Sequence, residues 1–513
     1  MRIPGKATAV ATQSYHQQQA KLGTTIVARA EWHISQVGFG SYRVTMGNKT
    51  HEQALRQALQ SGINLIDTSS NYGDGNAERL IGRVLAELID ADELTREQVV
   101  VVSKAGYLQG FNYTLAQQRK QEGRPFPNLV KYAEGLDHCI HPEFLEDQLE
   151  RSLERLNLAT LDVFLLHNPE YYLSWAQRRP LPLDEARHTY YQRIRLAFEF
   201  LEQAVADGRI QSYGISSNTF PEPARNYTFT ELARVWEIAQ KINPNHHFRW
   251  VQLPMNLLEP GAATEKNQPN GQTVLQFAAD HQMSVLINRP LNAIVQESLT
   301  RLAEVLPPSY PATPEDVSTA VDSCVELEAQ FASQHLPELN LDDETRQQLI
   351  EYLAVGRMLE GNWGGFGTFQ NWQDVRARFI LPRTQTAVEF LSNQPNLPAE
   401  AAFWLDEYVE AANIALAALS AFYQEQAAKR TGRIQATAVA ADSDWQAKTL
   451  SQTAVRALRS SQGVSAVLVG MRHQQYVLDI LDDLAHPVSV KDRTDSWQKM
   501  KAESQMSGSK INL

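Results

Sequence analysis

Ile63-Asn64-Leu65-Ile66-Asp67-Thr68-Ser69-Ser70-Asn71-Tyr72-Gly73 runs from an apolar stretch into a polar loop. The first half reads as a buried strand, the second as the loop leaving its carboxyl end. Two more runs have this form. Val99-Val100-Val101-Val102-Ser103-Lys104 ends on a lysine, and Leu161-Asp162-Val163-Phe164-Leu165-Leu166-His167 ends on a histidine. Strands are predicted near 34–39, 62–67, 98–104, 161–167, 209–215, 249–254, 283–288 and 464–470, with helix-period segments between them. That alternation predicts an α/β fold of parallel strands joined by crossover helices. A count of eight fits a closed (β/α)8 TIM barrel, whose active sites lie at the carboxyl ends of the strands.

The helices carry their own signals. His51 to Leu59 stops before Gly62, and Phe198 to Ala206 stops before Gly208. Leu145, Leu149, Leu153 and Leu156 line one face between Phe144 and Leu156. Two insertions interrupt the pattern. Residues 106–140 are predicted as a loop hanging over the active-site end, rich in Tyr107, Phe111, Tyr113, Arg119, Lys120, Arg124 and Phe126. His138, Cys139 and His141 lie close together there, without the second ligand cluster that a metal site needs, so no metal is expected.

The larger insertion, 293–446, falls between strands 7 and 8. Helices are predicted over 318–334, 342–358 and 399–428, with a glycine-rich turn at 361–367. Leu349, Ile350 and Leu353 share a helix side and are expected to pack. The barrel is thus expected over 25–292 and 447–485, with a polar, mobile tail over 486–513.

Composition narrows the class. The chain has 513 residues and a net charge of −12, which argues against broad nucleic-acid binding. It has no apolar run of membrane-spanning length and no secretory signal core, so no membrane association is expected. The stretch 1–30 lacks acidic residues but holds only Ser14 as a serine, a poor fit to a transit peptide. Cys139 and Cys324 are too few for a disulfide framework, so a reducing, cytoplasmic compartment is expected.

Asp67, Tyr72, Lys104 and His167 would converge at the strand ends. A phenol ionises at a pKa of about 10. A nearby ammonium favours its phenolate, and a carboxylate holds that ammonium in place. An imidazole can orient a carbonyl oxygen and share its proton. This set suits reduction of an aldehyde or ketone, with the proton coming from the tyrosine.

The chain resembles the aldo-keto reductase superfamily. The matching segments are Val37-Gly38-Phe39-Gly40-Ser41-Tyr42, Asp67 to Tyr72, Glu78, the Lys104 strand, Leu165-Leu166-His167, Tyr213 to Asn218, Val251 to Asn256 and Val467 to Arg472. The resemblance implies Tyr72 as general acid/base, tuned by Lys104 and Asp67, with His167 orienting substrate. It implies a nicotinamide cofactor, NADP with NAD as the alternative, reaching Asp67. Ser216 and Gln252 would hold the carboxamide. Gly40, Ser41 and Tyr42 would line the ribose and phosphates. Gly470, Met471 and Arg472 would open the phosphate end, Arg472 gripping a 2′-phosphate.

Four positions, in three places, depart from the family pattern. Asn288 stands where many members place a ring that stacks on the nicotinamide. Ser217 stands where Asn is frequent, and Tyr476 and Ile480 where adenine-contacting Gln and Asn are frequent. The expected function is an NADP-dependent oxidoreductase acting on a small carbonyl or alcohol. The alternative is a catalytically weak nicotinamide-binding regulator or scaffold that meets partners through its helical insertion. Substrate and oligomeric state stay open at this level.

Overall fold

The structure is a computed structural model that describes residues 2–19, 22–27, 30–295 and 298–508. Eight parallel strands close into a barrel: β1 (Val37–Gly40), β2 (Leu65–Asp67), β3 (Val100–Ala105), β4 (Leu161–His167), β5 (Ile210–Ser216), β6 (Phe248–Pro254), β7 (Ser284–Asn288) and β8 (Ala466–Gly470). They neighbour one another in chain order, and β8 pairs with β1. Apolar residues fill the interior, among them Leu65, Val100, Val102, Val163, Leu165, Leu286 and Leu468.

The first strand begins later than the apolar run suggested. His33–Ser35 pairs antiparallel with Thr24–Ile26 instead of joining the barrel. Asn64 holds this arrangement: its Oδ1 accepts from Ser35 N at 3.0 Å and its Nδ2 donates to His33 O at 3.0 Å. Residues before 25 also belong to the folded unit. Ala7 N donates to Asp162 Oδ1 at 2.8 Å, and the helix Ala9–Gln18 buries Tyr15, whose hydroxyl bonds Leu59 O.

The helices follow their local signals. Asn48 caps Lys49–Gln60 through bonds from Thr50 N and His51 N. Pro142 starts Pro142–Leu156, and the expected leucine face is buried. The helix before β5 is longer than predicted, Leu183–Ala206, because Tyr190, Ile194 and Ala197 extend its buried stripe.

The stretch 106–140 is more than a loop. It contains a helix, Gly110–Gln121, and a three-stranded antiparallel sheet formed by Tyr107–Leu108, Leu136–His138 and Val130–Ala133. Within this stretch Tyr107, Phe126, Val130 and Cys139 are buried. The tail also departs from expectation. Residues Thr494–Gly508 form a helix with Trp497 and Met500 on its buried side, and Trp497 Nε1 donates to Ser461 Oγ at 2.8 Å. The apolar pair at i, i+3 docks this helix together with an ion pair from Lys501 to Glu265. Residues 509–513 lie outside the described residues.

The chain divides into two compact units, 1–302 with 437–513, and 303–436. The boundary falls after 293 because Asn292–Val295 and Ser298–Arg301 pair as a hairpin and Leu302 is fully buried. The second unit is helical, with Pro314–Gln330, Asp343–Tyr352, Val355–Leu359, Phe369–Val375, Leu381–Ser392 and most of Ala399–Ala441. Its core joins Val321, Leu349, Leu353, Trp372, Trp404 and Tyr408. The glycine-rich segment holds a short turn of 3-10 helix, Trp363–Phe366, between two of these helices.

Candidate active site

Each barrel strand delivers its last residues to one end. Asp67 ends β2, Lys104 lies next to last in β3, and His167 ends β4. Tyr72 follows in the loop after β2. Its backbone N–H donates to Ser69 O at 3.1 Å, which coils the loop back on itself. Lys104 Nζ donates to Asp67 Oδ1 at 2.6 Å and lies 5.2 Å from the centroid of the Tyr72 ring. The Tyr72 and His167 rings stand edge to face with centroids 6.1 Å apart. The four side chains named from the sequence are therefore neighbours.

Their electrostatics are set mainly by burial. Lys104 is fully buried, and desolvation lowers its pKa against the opposing pull of Asp67. Desolvation also lowers His167 well below the usual imidazole value, with Lys104 and His138 adding to it, so the ring is neutral. Tyr72 is raised well above 10, first by burial and then by the Asp67 carboxylate and Tyr42. The lysine was expected to favour phenolate. Burial, followed by the Asp67 carboxylate, outweighs it and biases Tyr72 toward the protonated phenol, which is the form a proton donor needs.

Several supporting residues, Glu78 excepted, were given no part in the site by the sequence. His138 Nε2–H donates to His167 O at 2.8 Å, and burial holds the His138 pKa down at about 4. Ser69 Oγ lies 3.0 Å from His167 Nδ1. Tyr107 stands edge-on to His167 with centroids 4.7 Å apart, and Asn168 Nδ2 donates to Tyr107 Oη at 2.6 Å. Glu170, buried just past β4, accepts from Asn218 N at 2.8 Å. Glu78 accepts from Ser103 Oγ at 2.5 Å and from Arg155 Nε at 2.6 Å, bracing the strand that carries Lys104. Glu78 was visible through the family pattern, and for Glu170 the signal was an acid in Asn168-Pro169-Glu170 directly after a strand-end histidine.

The residues assigned to a cofactor occupy the same end. Gln252 Nε2 donates to Asp67 Oδ1 at 2.7 Å, and Ser216 Oγ donates to Gln252 Oε1 at 3.1 Å. Ser41 is fully buried, whereas Tyr42 is largely exposed and packs edge-on to Tyr72 at 5.3 Å. Gly40 ends β1 against β8, where an added Cβ would lie 3.2 Å from Val469 O. Gly470 faces open space, and Met471 is buried behind it. Arg472 has no ion-pair partner among the described residues, and with His473 it contributes to lowering the His51 pKa, after burial. Buried Ser41 Oγ, Thr68 Oγ1, Ser70 Oγ and Asn288 Oδ1 have no hydrogen-bond partner. Unsatisfied polar atoms at strand ends beside an unpaired arginine fit a ligand carrying an amide, hydroxyls and phosphate.

A sequence model of the Aldo/keto reductase family matches residues 36–293, half of the chain, and the protein belongs to that family. The chain is 27% identical over 214 residues to an NADH-specific methylglyoxal reductase of Escherichia coli, covering 40% of this chain and 53% of the relative. It is 26% identical over 195 residues to a 6-dehydroglucose reductase of Novosphingobium aromaticivorans, covering 36% and 48%. It thus spans about half the length of these curated relatives. Among solved structures, a glycerol dehydrogenase from Gluconobacter oxydans aligns over 95% of this chain and 94% of its own, at 16% identity and a TM-score of 0.44.

Proposed function

We propose that this chain is a nicotinamide-dependent oxidoreductase that interconverts a small carbonyl compound and its alcohol. The observation that carries the reading is the cluster of Tyr72, Lys104, Asp67 and His167 at the carboxyl ends of β2, β3 and β4. A bound nicotinamide would supply the hydride. Tyr72 then gives its hydroxyl proton to the carbonyl oxygen and recovers it in the reverse direction. The Lys104 ammonium, 5.2 Å from the ring centroid, offsets the negative charge that develops on the phenol oxygen. Asp67 keeps that ammonium in place, and neutral His167 orients the substrate oxygen.

Ser216, Gln252, Gly40, Ser41, Tyr42, Gly470, Met471 and Arg472 would hold the cofactor. The unpaired Arg472 favours NADP, because a guanidinium grips a phosphate through two hydrogen bonds. The name of the Escherichia coli relative specifies NADH, so both cofactors belong in the test. The two cysteines are buried and free, which supports a reducing compartment such as the cytoplasm. Among the described residues no helix is long and apolar enough to cross a membrane.

Tryptophan fluorescence titrated with NADPH and NADH, followed by turnover of a panel of aldehydes, ketones and sugars, tests the reading. Saturable quenching with cofactor oxidation is expected. Binding of neither dinucleotide would overturn it.

A further inference from the structure

The ends of β5, β6 and β7 carry Ser216, Gln252 and Asn288 side by side, with Pro254 in register with Asn288. The resemblance would place a flat aromatic ring at Asn288. What stands there is the last member of a polar chain whose direction can be worked out. An ionised carboxylate only accepts, so the atom that Gln252 presents to Asp67 must be Nε2, at 2.7 Å. Gln252 Oε1 then faces the other way, and accepts from Ser216 Oγ at 3.1 Å and from Asn288 Nδ2 at 3.4 Å. One N–H of Asn288 Nδ2 is engaged by Gln252, which turns Oδ1 to the other side of the amide. That oxygen is buried and has no partner. The Asp67 charge therefore dictates, through two amides, that the end of β7 offers an acceptor lacking a donor. Buried acceptors of this kind are rare unless a ligand or water completes them.

We propose that Asn288 is a cofactor-positioning residue, its Oδ1 accepting an N–H from the carboxamide of the bound nicotinamide. This rests on the functional reading above and adds to it. Where a ring would hold the nicotinamide by stacking on its face, this chain holds it by its amide edge. The acceptor's direction is set by the same aspartate that fixes Lys104. Such a site should read the chemistry of the 3-substituent more sharply than a stacking ring would, because an unmet donor or acceptor costs more than a change in apolar contact.

The test is a cycle between one protein change and one cofactor change. Dissociation constants are measured by tryptophan quenching for NAD+ and NADP+, and for their 3-acetylpyridine analogues, in which a methyl group replaces the amide nitrogen. Wild-type protein is expected to bind the carboxamide roughly tenfold tighter than the acetyl form, the size of one hydrogen bond to a buried group. In Asn288→Leu, and in Asn288→Ala as a second variant, that preference should collapse to within about twofold. The ratio within each protein cancels any general loss of affinity. An equal preference in wild type and both variants, or no preference in wild type, overturns the proposal and leaves the oxidoreductase reading standing. Binding of no nicotinamide dinucleotide by wild-type protein would remove both.

Discussion

Tyr72 is a phenol kept protonated by burial and by the carboxylate beside it, with the Lys104 ammonium tied to that carboxylate. The arrangement favours giving a proton over holding an anion. Tyr72→Phe keeps the ring and its edge contacts with Tyr42 and His167 while removing the proton. Carbonyl reduction is expected to fall by roughly 10²-fold or more, with cofactor affinity little changed. Stopped-flow cofactor oxidation checks the first and fluorescence titration the second; near-native turnover would sink the assignment. Glu170 supports a second expectation. Burial raises its carboxyl to about 7, and its Oε2 has no partner. The folded protein therefore keeps this proton up to about pH 7, while the unfolded chain releases it near the usual value of about 4.3. Between those values the native state binds more protons, so this group's contribution to stability falls as pH rises through the window. Glu170→Gln should gain on wild type by about 1–3 kcal/mol between pH 4.5 and pH 8, measured by urea unfolding. A constant gap would mean the folded carboxyl ionises normally. Asp67, Lys104 and His167 were legible in the sequence because each ends an apolar run. His138 was not, because it reaches His167 only through strand pairing within 106–140, which local pattern does not encode.

At the scale of elements, the site depends on how closely the surrounding helices meet. The helix Asn76–Asp90 carries Glu78, which braces Ser103, and it crosses the end of Pro142–Leu156 at Gly82. A Cβ at Gly82 would lie 2.6 Å from Arg155 O and 2.7 Å from Leu156 C, both backbone atoms. Gly82→Ala should therefore cost about 1–3 kcal/mol in strain, more than the ~1 kcal/mol that alanine returns in helix propensity. A lowered melting temperature is the expected result. A rise would show that the two helices separate easily. The strands and helices themselves were readable from valine and leucine runs punctuated at Gly62 and Gly208. Element ends were less so. Ser35 looks like part of the first strand, yet its backbone bonds Asn64 rather than a barrel neighbour. Stretch 106–140 looked irregular because its strands are only two to four residues long, too short for an alternation to register.

For the whole molecule, the decisive fact is that each unit buries its own apolar residues. Leu349 and Leu353 look in the sequence like a face seeking a partner, and their partners are Val321, Trp372, Trp404 and Tyr408, all within 303–436. Trp404 Nε1 donates to Leu327 O at 2.9 Å. Buried Glu328 accepts from Gly356 N at 2.6 Å and from Arg357 Nε at 3.2 Å. These polar contacts close within the helical unit as its core does. The barrel's core likewise draws on strands β2, β3, β4, β6, β7 and β8 and on residues before them. Deleting 303–436 and joining Leu302 to Thr437 with a short Gly/Ser linker should therefore take a core out whole. The expected product keeps the circular dichroism of a (β/α)8 barrel, unfolds cooperatively, and binds nicotinamide dinucleotide with an unchanged dissociation constant. Its substrate range or oligomeric state should differ from the parent, measured by the carbonyl panel and by light scattering. Loss of all structure on deletion would mean that the barrel cannot close without the helical unit.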